Sequence, residues 1–182
     1  MIRINKQKAL IAQQKKVFHT QDLAVIWGIS DKNALYVTID RFKKRGILIP
    51  IFKGYYATFP LNKIDPWEIG TKAMHGFCYV SCETILAKEG LINAIPRYIT
   101  LVGKKTWTVE IGENTYRCRQ LRDSFLFQSA GILEKGGVYY ASVPRAIADM
   151  HYYNPHFHWD APIDRYQSEV ADIQSAVGYI RG

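Results

Sequence analysis

Two helix-forming stretches joined by only a few residues constrain this chain more than any other feature. Gln21-Asp22-Leu23-Ala24-Val25-Ile26-Trp27 ends at Gly28, and a second stretch runs from about Lys32 to Arg45 and stops at Gly46. Glycine takes the left-handed conformation that commonly closes a helix, so Gly28 is expected to end the first. Thr20 is expected to cap it, with Asp22 in the favourable first turn. Ser30 or Asp31 caps the second. Leu35, Ile39 and Phe42 are spaced by four and three residues, which places them on one buried stripe. So short a connection forces the two helices into a sharp corner.

The flanking sequence completes the unit. Residues 4–14 contain helix formers and few breakers, with Ile4, Leu10 and Ile11 available for a core-facing stripe, and Lys15–His19 reads as a turn. After Gly46, Ile47–Phe52 reads as a strand, Lys53-Gly54 as a tight turn and Tyr55–Phe59 as the return strand. Tyr55 and Tyr56 alternate along it, so one is expected in the core and the other outside. Three helices followed by a hairpin form a winged helix-turn-helix, assigned to residues 1–62.

Charge points to the partner of that unit. Residues 1–63 carry 12 of the 24 Lys and Arg but only 3 of the 16 Asp and Glu, so they hold net +9 of a chain whose total is +8. A basic module joined to a near-neutral one suits a nucleic-acid reader attached to something else. Lys32, Asn33, Tyr36 and Val37 are expected on the outer face of the third helix, where Asn33 can form two hydrogen bonds with adenine. Thr38 is small enough to permit close approach. Arg41, Lys43, Lys44 and Arg45 form a pool for phosphates, as does Lys53 at the hairpin tip, with Tyr55 beside it. Asp40 would oppose DNA and is expected to pair with a neighbouring cation.

Residues 63–182 read as a small mixed α/β domain, giving the chain an α/β (α+β) class overall. Asp65-Pro66 fits a helix start. Strands are expected at 78–80, 98–102, 106–111, 115–119 and 138–141, with the third and fourth paired antiparallel about Gly112-Glu113-Asn114. Ser81 is expected to cap a helix ending at Gly90, and Ser142 a helix stopped by Asn154-Pro155. Asp164–Val177 reads as the last helix.

Catalytic and metal chemistry find little support. Cys78, Cys82 and Cys118, with His75, have the wrong spacing for a recognisable zinc site, and buried apolar cysteines are the expected outcome. His151, His156 and His158 lie among Tyr152, Tyr153, Phe157 and Trp159, which suggests aromatic packing or an aromatic surface. Glu83, Glu110 and Asp149 do not form a nuclease constellation, and Asp149 is expected to orient Arg145, four residues earlier. Phosphate-binding and dinucleotide glycine motifs are missing from the sequence. The reading is therefore of a protein with no catalytic residues, metal or cofactor. No apolar run approaches the roughly 20 residues of a membrane span. The odd cysteine count and charged start predict a cytoplasmic protein without a leader.

The order of segments resembles the AbiEi family of type IV antitoxins and related winged-helix regulators. The resemblance rests on Thr20–Leu23, Tyr36–Leu48 and Phe52–Ala57, then on Tyr79–Leu86 with Gly90-Leu91-Ile92, Ile99–Thr106 and Ala141–Asp149. It implies a repressor that binds double-stranded operator DNA; since one wing and one recognition helix bury limited DNA surface, binding as a homodimer or as cooperative monomers is expected. It also implies an antitoxin counteracting a nucleotidyltransferase-like toxin with no stable complex required, and it marks Lys104 and Lys105 as a second basic surface. The competing readings are a regulator whose C-terminal half senses a ligand or oligomerises, and a DNA-targeted nuclease.

Overall fold

A computed structural model describes residues 5–13, 15–74 and 76–179. The chain divides into two compact units between Ile69 and Gly70.

The first unit runs α1 (Lys6–Ala12), β1 (Val17–His19), α2 (Thr20–Trp27), α3 (Lys32–Lys44), β2 (Ile49–Phe52) and β3 (Tyr55–Ala57). The strands form one antiparallel sheet in the order β1-β3-β2. This is a winged helix-turn-helix. Leu10, Phe18, Leu23, Trp27, Leu35, Ile39, Phe42 and Leu48 make its core. Burying each large apolar side chain contributes roughly 1.5–3 kcal/mol. The Trp27 ring packs at a tilt 4.9 Å from that of Phe42 and donates its indole N–H to the Lys6 carbonyl at 3.1 Å, which ties α1 to α2.

Several expectations need correction. Residues 17–19 are not a turn but β1, with Val17 paired to Ala57 and His19 to Tyr55. Their backbone groups therefore find partners in the wing sheet. His19, not Thr20, caps α2: its Nδ1 accepts from the Gln21 amide, while Asp22 accepts from the His19 amide. Asp31 caps α3, accepting from Ala34 at 2.7 Å. Leu10 is buried but Ile11 is 71% exposed, so the stripe on α1 is narrower than expected; Ile4 lies outside the described residues. Tyr55 and Tyr56 are both half-buried, on opposite faces of β3 and each covered there by a neighbour. Tyr56 packs on the core, and the Tyr55 ring lies 4.8 Å from that of His19.

A 3-10 turn, Leu61–Lys63, leads into α4 (Pro66–Ala73), where Asp65 accepts from the Trp67 amide at 2.8 Å. The second unit continues with β4 (Cys78–Val80), α5 (Glu83–Lys88), β5 (Ile99–Gly103), β6 (Trp107–Ile111), β7 (Asn114–Gln120), α6 (Asp123–Leu126), β8 (Ile132–Lys135), β9 (Val138–Ala141), α7 (Val143–Tyr153), a 3-10 turn at Asp164–Tyr166 and α8 (Gln167–Val177). The six strands form a mixed sheet in the order β6-β7-β5-β4-β9-β8. β4 with β9 and β5 with β7 are parallel, and the other neighbours are antiparallel. Gly70 permits close packing of α4 on the sheet: a Cβ there would stand 2.5 Å from the Tyr116 ring.

The expected strands are present, the turn between β6 and β7 is only Gly112-Glu113 because Asn114 pairs with Ile111, Ser142 caps α7 and Asn154 closes it. Ser81 is a correction. Residue 82, with φ +52°, occupies the cap position of α5 without a side-chain cap, and the Ser81 hydroxyl donates instead to buried Asp149 at 2.7 Å. α6 and β8 were not anticipated.

The interior of this unit holds an ion pair. Arg145 Nε donates to Asp149 Oδ1 at 2.9 Å, both side chains fully buried. Asp149 also accepts from the hydroxyls of Tyr79, Ser81 and Tyr179. The Arg145 guanidinium reaches the Gln128 and Ala130 carbonyls and the Tyr79 hydroxyl. A buried charge pair is tolerable only when its remaining donors and acceptors are satisfied in this way.

Candidate nucleic-acid interface

The outward surface of α3 follows from its apolar stripe. With Leu35, Ile39 and Phe42 turned inward, a 3.6-residue period puts Asn33, Val37, Asp40 and Lys44 at the centre of the opposite face. Tyr36 and Arg41 flank them. Asn33 is exposed, and Tyr36 and Val37 are 48% and 51% exposed. Two large side chains thus stand half open to water on this helix face. Lys32 and Lys43 are exposed nearer the edges of the buried stripe. Thr38 returns its hydroxyl to the Ala34 carbonyl at 2.8 Å.

Charge on this face is partly committed. Asp40 pairs with Lys44 at 2.9 Å and with Lys43 at 3.8 Å. The Lys44 hydrogen bond holds the Asp40 carboxyl below its usual range. The Arg45 guanidinium rests 5.7 Å from the Phe42 ring. Lys6, Arg41, Lys44 and Arg45 border a depression of about 460 Å³ at the C-terminal half of α3. The contribution of Lys6 from α1 was not anticipated, because only the tertiary fold brings it beside α3.

Lys53 and Gly54 form the wing tip between β2 and β3. Lys53 is exposed, its ammonium 5.5 Å from the Phe52 ring. Gly54 has φ +85°, and its carbonyl accepts from both the amide and the hydroxyl of Thr20, at 2.8 and 2.9 Å. The tip is thereby fastened to the start of α2. Tyr55 is less available than the sequence suggests, since its ring packs against His19.

The other candidates are in the second unit. Lys104 forms an ion pair with Asp123 at 2.8 Å, which reduces its free charge, while Lys105 is exposed. Asp123 lies on the unanticipated α6. Cys78, Cys82 and Cys118 are free and buried, and burial raises all three thiols. His75 lies outside the described residues. Among the described residues no three His, Cys, Asp or Glu side chains converge as metal ligands. The three carboxylates considered for nuclease chemistry are separated by their roles: Asp149 is buried with Arg145, Glu83 pairs with Arg119, and Glu110 is exposed on β6. His151 packs against Trp159, and Phe157 against Trp159, so part of the aromatic tail is a packing cluster. No described helix is long and apolar enough to cross a membrane.

Residues 5–58 match the family model described as "Transcriptional regulator, AbiEi antitoxin". No curated protein matches the chain. The matched segment spans α1 through β3, the same elements that build the wing and the helix-turn-helix. The winged unit of this chain is thus similar to the AbiEi antitoxin family of transcriptional regulators.

Proposed function

We propose that the chain is a sequence-specific repressor that binds double-stranded operator DNA, and that it serves as the antitoxin of a type IV pair. The observation that carries the DNA-binding reading is the outward face of α3. It offers Asn33, Tyr36 and Val37 at its N-terminal half and cations at its C-terminal half, beside a wing with Lys53 at its tip. A helix of this kind fits the major groove, which is about 12 Å wide. Asn33 reads a base, Tyr36 and Val37 contact a thymine methyl or the backbone, and Lys32, Arg41, Lys43, Lys44 and Lys53 meet phosphates. Tyr55 supports the tip through His19 and makes at most a secondary contact.

One winged unit covers limited DNA, so binding as a homodimer or as cooperative monomers follows from this reading. The antitoxin role, opposite a nucleotidyltransferase-like toxin in the cytoplasm, rests on the family model that residues 5–58 match. No catalytic step is assigned to the chain.

The test is fluorescence anisotropy with the DNA upstream of the gene and a scrambled duplex, each at two salt concentrations. Selective binding is expected, with Lys53→Ala reducing the salt slope by about one unit on both duplexes. Asn33→Ala is expected to reduce discrimination by about 1–3 kcal/mol. Equal, salt-labile binding to both duplexes would sink the operator reading. Co-expression with the product of an adjacent toxin gene tests the antitoxin role, with rescue of growth as the expected result.

A further inference from the structure

A second group of cations lies in unit two, beyond the segment that matches the family. β7 places Arg117 and Arg119 two residues apart, so both side chains leave the same face of the sheet. Each guanidinium lies against a tyrosine: Arg117 is 5.7 Å from the Tyr98 ring and Arg119 is 5.4 Å from the Tyr153 ring. Arg97 also approaches Tyr98, at 5.8 Å. Glu83, Arg117, Arg119, Tyr153, Asn154 and Phe157 line a cleft of about 380 Å³.

The two arginines of β7 have different tasks. Arg119 is fixed by Glu83, whose second carboxylate oxygen accepts from the Thr100 hydroxyl at 3.2 Å. Arg117 is exposed and forms no ion pair with a described residue. Tyr153 is held by a hydrogen bond from its hydroxyl to the Gln120 carbonyl at 2.9 Å. The cleft therefore combines one available cation, two aromatic rings and one anchored carboxylate.

We propose that this cleft binds a nucleotide, with its phosphate on Arg117 and its base against the Tyr153 and Phe157 wall. Guanidinium groups match phosphate oxygens, and a base stacks on any aromatic face. Glu83 argues against a simple inorganic anion, because its charge offsets that of Arg119. The same carboxylate is a suitable acceptor for a ribose hydroxyl or a base amine. Duplex DNA keeps its bases stacked on one another, so the nucleotide arrives either free or within a single strand.

The experiment uses the full chain with adenosine and uridine monophosphates and with labelled four-residue DNA and RNA strands. Such strands are too short to engage helix and wing together. Binding is expected, weakened about tenfold by Arg117→Ala and by Phe157→Ala and unchanged by Lys53→Ala. Arg117→Ala is expected to leave duplex binding unchanged, so failure here is distinguishable from failure of the operator reading. Equal affinity for monophosphates and strands assigns a free nucleotide; tighter binding of strands assigns a single-stranded nucleic acid. No binding to any of these ligands, or binding indifferent to both Arg117→Ala and Phe157→Ala, would overturn the proposal.

Discussion

Thr20, the first residue of α2, donates two hydrogen bonds to the carbonyl of Gly54 at the wing tip, one from its amide and one from its hydroxyl. The tip is thus positioned by the helix-turn-helix as well as by its own hairpin. Thr20→Val keeps the amide bond and the shape but removes the hydroxyl bond. The expected cost is about 0.5–1.5 kcal/mol in urea unfolding, with weaker duplex binding. Thr20→Ser should restore both. A valine variant with unaltered stability and unaltered binding would show that the second bond is dispensable.

Asp40 is the acidic residue at the middle of the face offered by α3, and it holds Lys44 and Lys43. Asp40→Asn removes a charge that repels phosphate and releases two lysines. Duplex binding is expected to tighten several-fold, with the salt slope steeper by about one unit. Weaker binding on every duplex would mean that Asp40 is needed to place the lysines.

The buried Arg145–Asp149 pair predicts an asymmetry between single and double replacement. Asp149→Ala leaves a guanidinium with no counter-charge in the interior and is expected to cost roughly 3–5 kcal/mol. Combining it with Arg145→Met should cost less than the sum of the two single changes, measured as coupling in urea unfolding. Simple additivity would contradict the pairing.

Alkaline pH provides a separate handle on unit two. Burial pushes the Cys118 thiol up to about 12 from an ordinary 9.0. The Tyr79 and Tyr179 hydroxyls are raised from 10.0, first by burial and then by the Asp149 charge. Each group holds its proton more tightly folded than unfolded. Its stabilising effect is complete below the unfolded value and is lost as pH climbs toward the folded one. Urea midpoints should therefore fall from about pH 9 upward, and less steeply in Tyr179→Phe. Midpoints constant from about pH 8 to about pH 11 would contradict this.

The first unit was largely legible because its signals are local. Gly28 takes φ +61° as expected, and Leu35, Ile39 and Phe42 are buried as their spacing required. What escaped there depends on partners distant in sequence: β1 exists through pairing with β3, and Lys6 joins the edge of α3 through packing. In unit two the strands were visible, but the sheet order and β8 were not, since alternation does not name a neighbour. Arg145 was placed beside Asp149 by their helical spacing. Nothing local announced that Tyr79, Ser81 and Tyr179 would close around them. The second basic surface was expected at Lys104 and Lys105, yet Lys104 is paired with Asp123. The cleft arginines were visible only as the alternation Arg117-Cys118-Arg119, which became informative once β7 had two sides.

The reach of Asp149 also bears on the order in which the chain acquires structure. Its carboxylate joins Tyr79, 70 residues before it, to Tyr179, 30 residues after it. The winged unit is complete once β3 is made, so it can form while synthesis continues. The polar interior of unit two is completed only when Tyr179 adds its hydroxyl to Asp149. A nascent chain halted between these points would hold a finished winged unit and an unfinished second half.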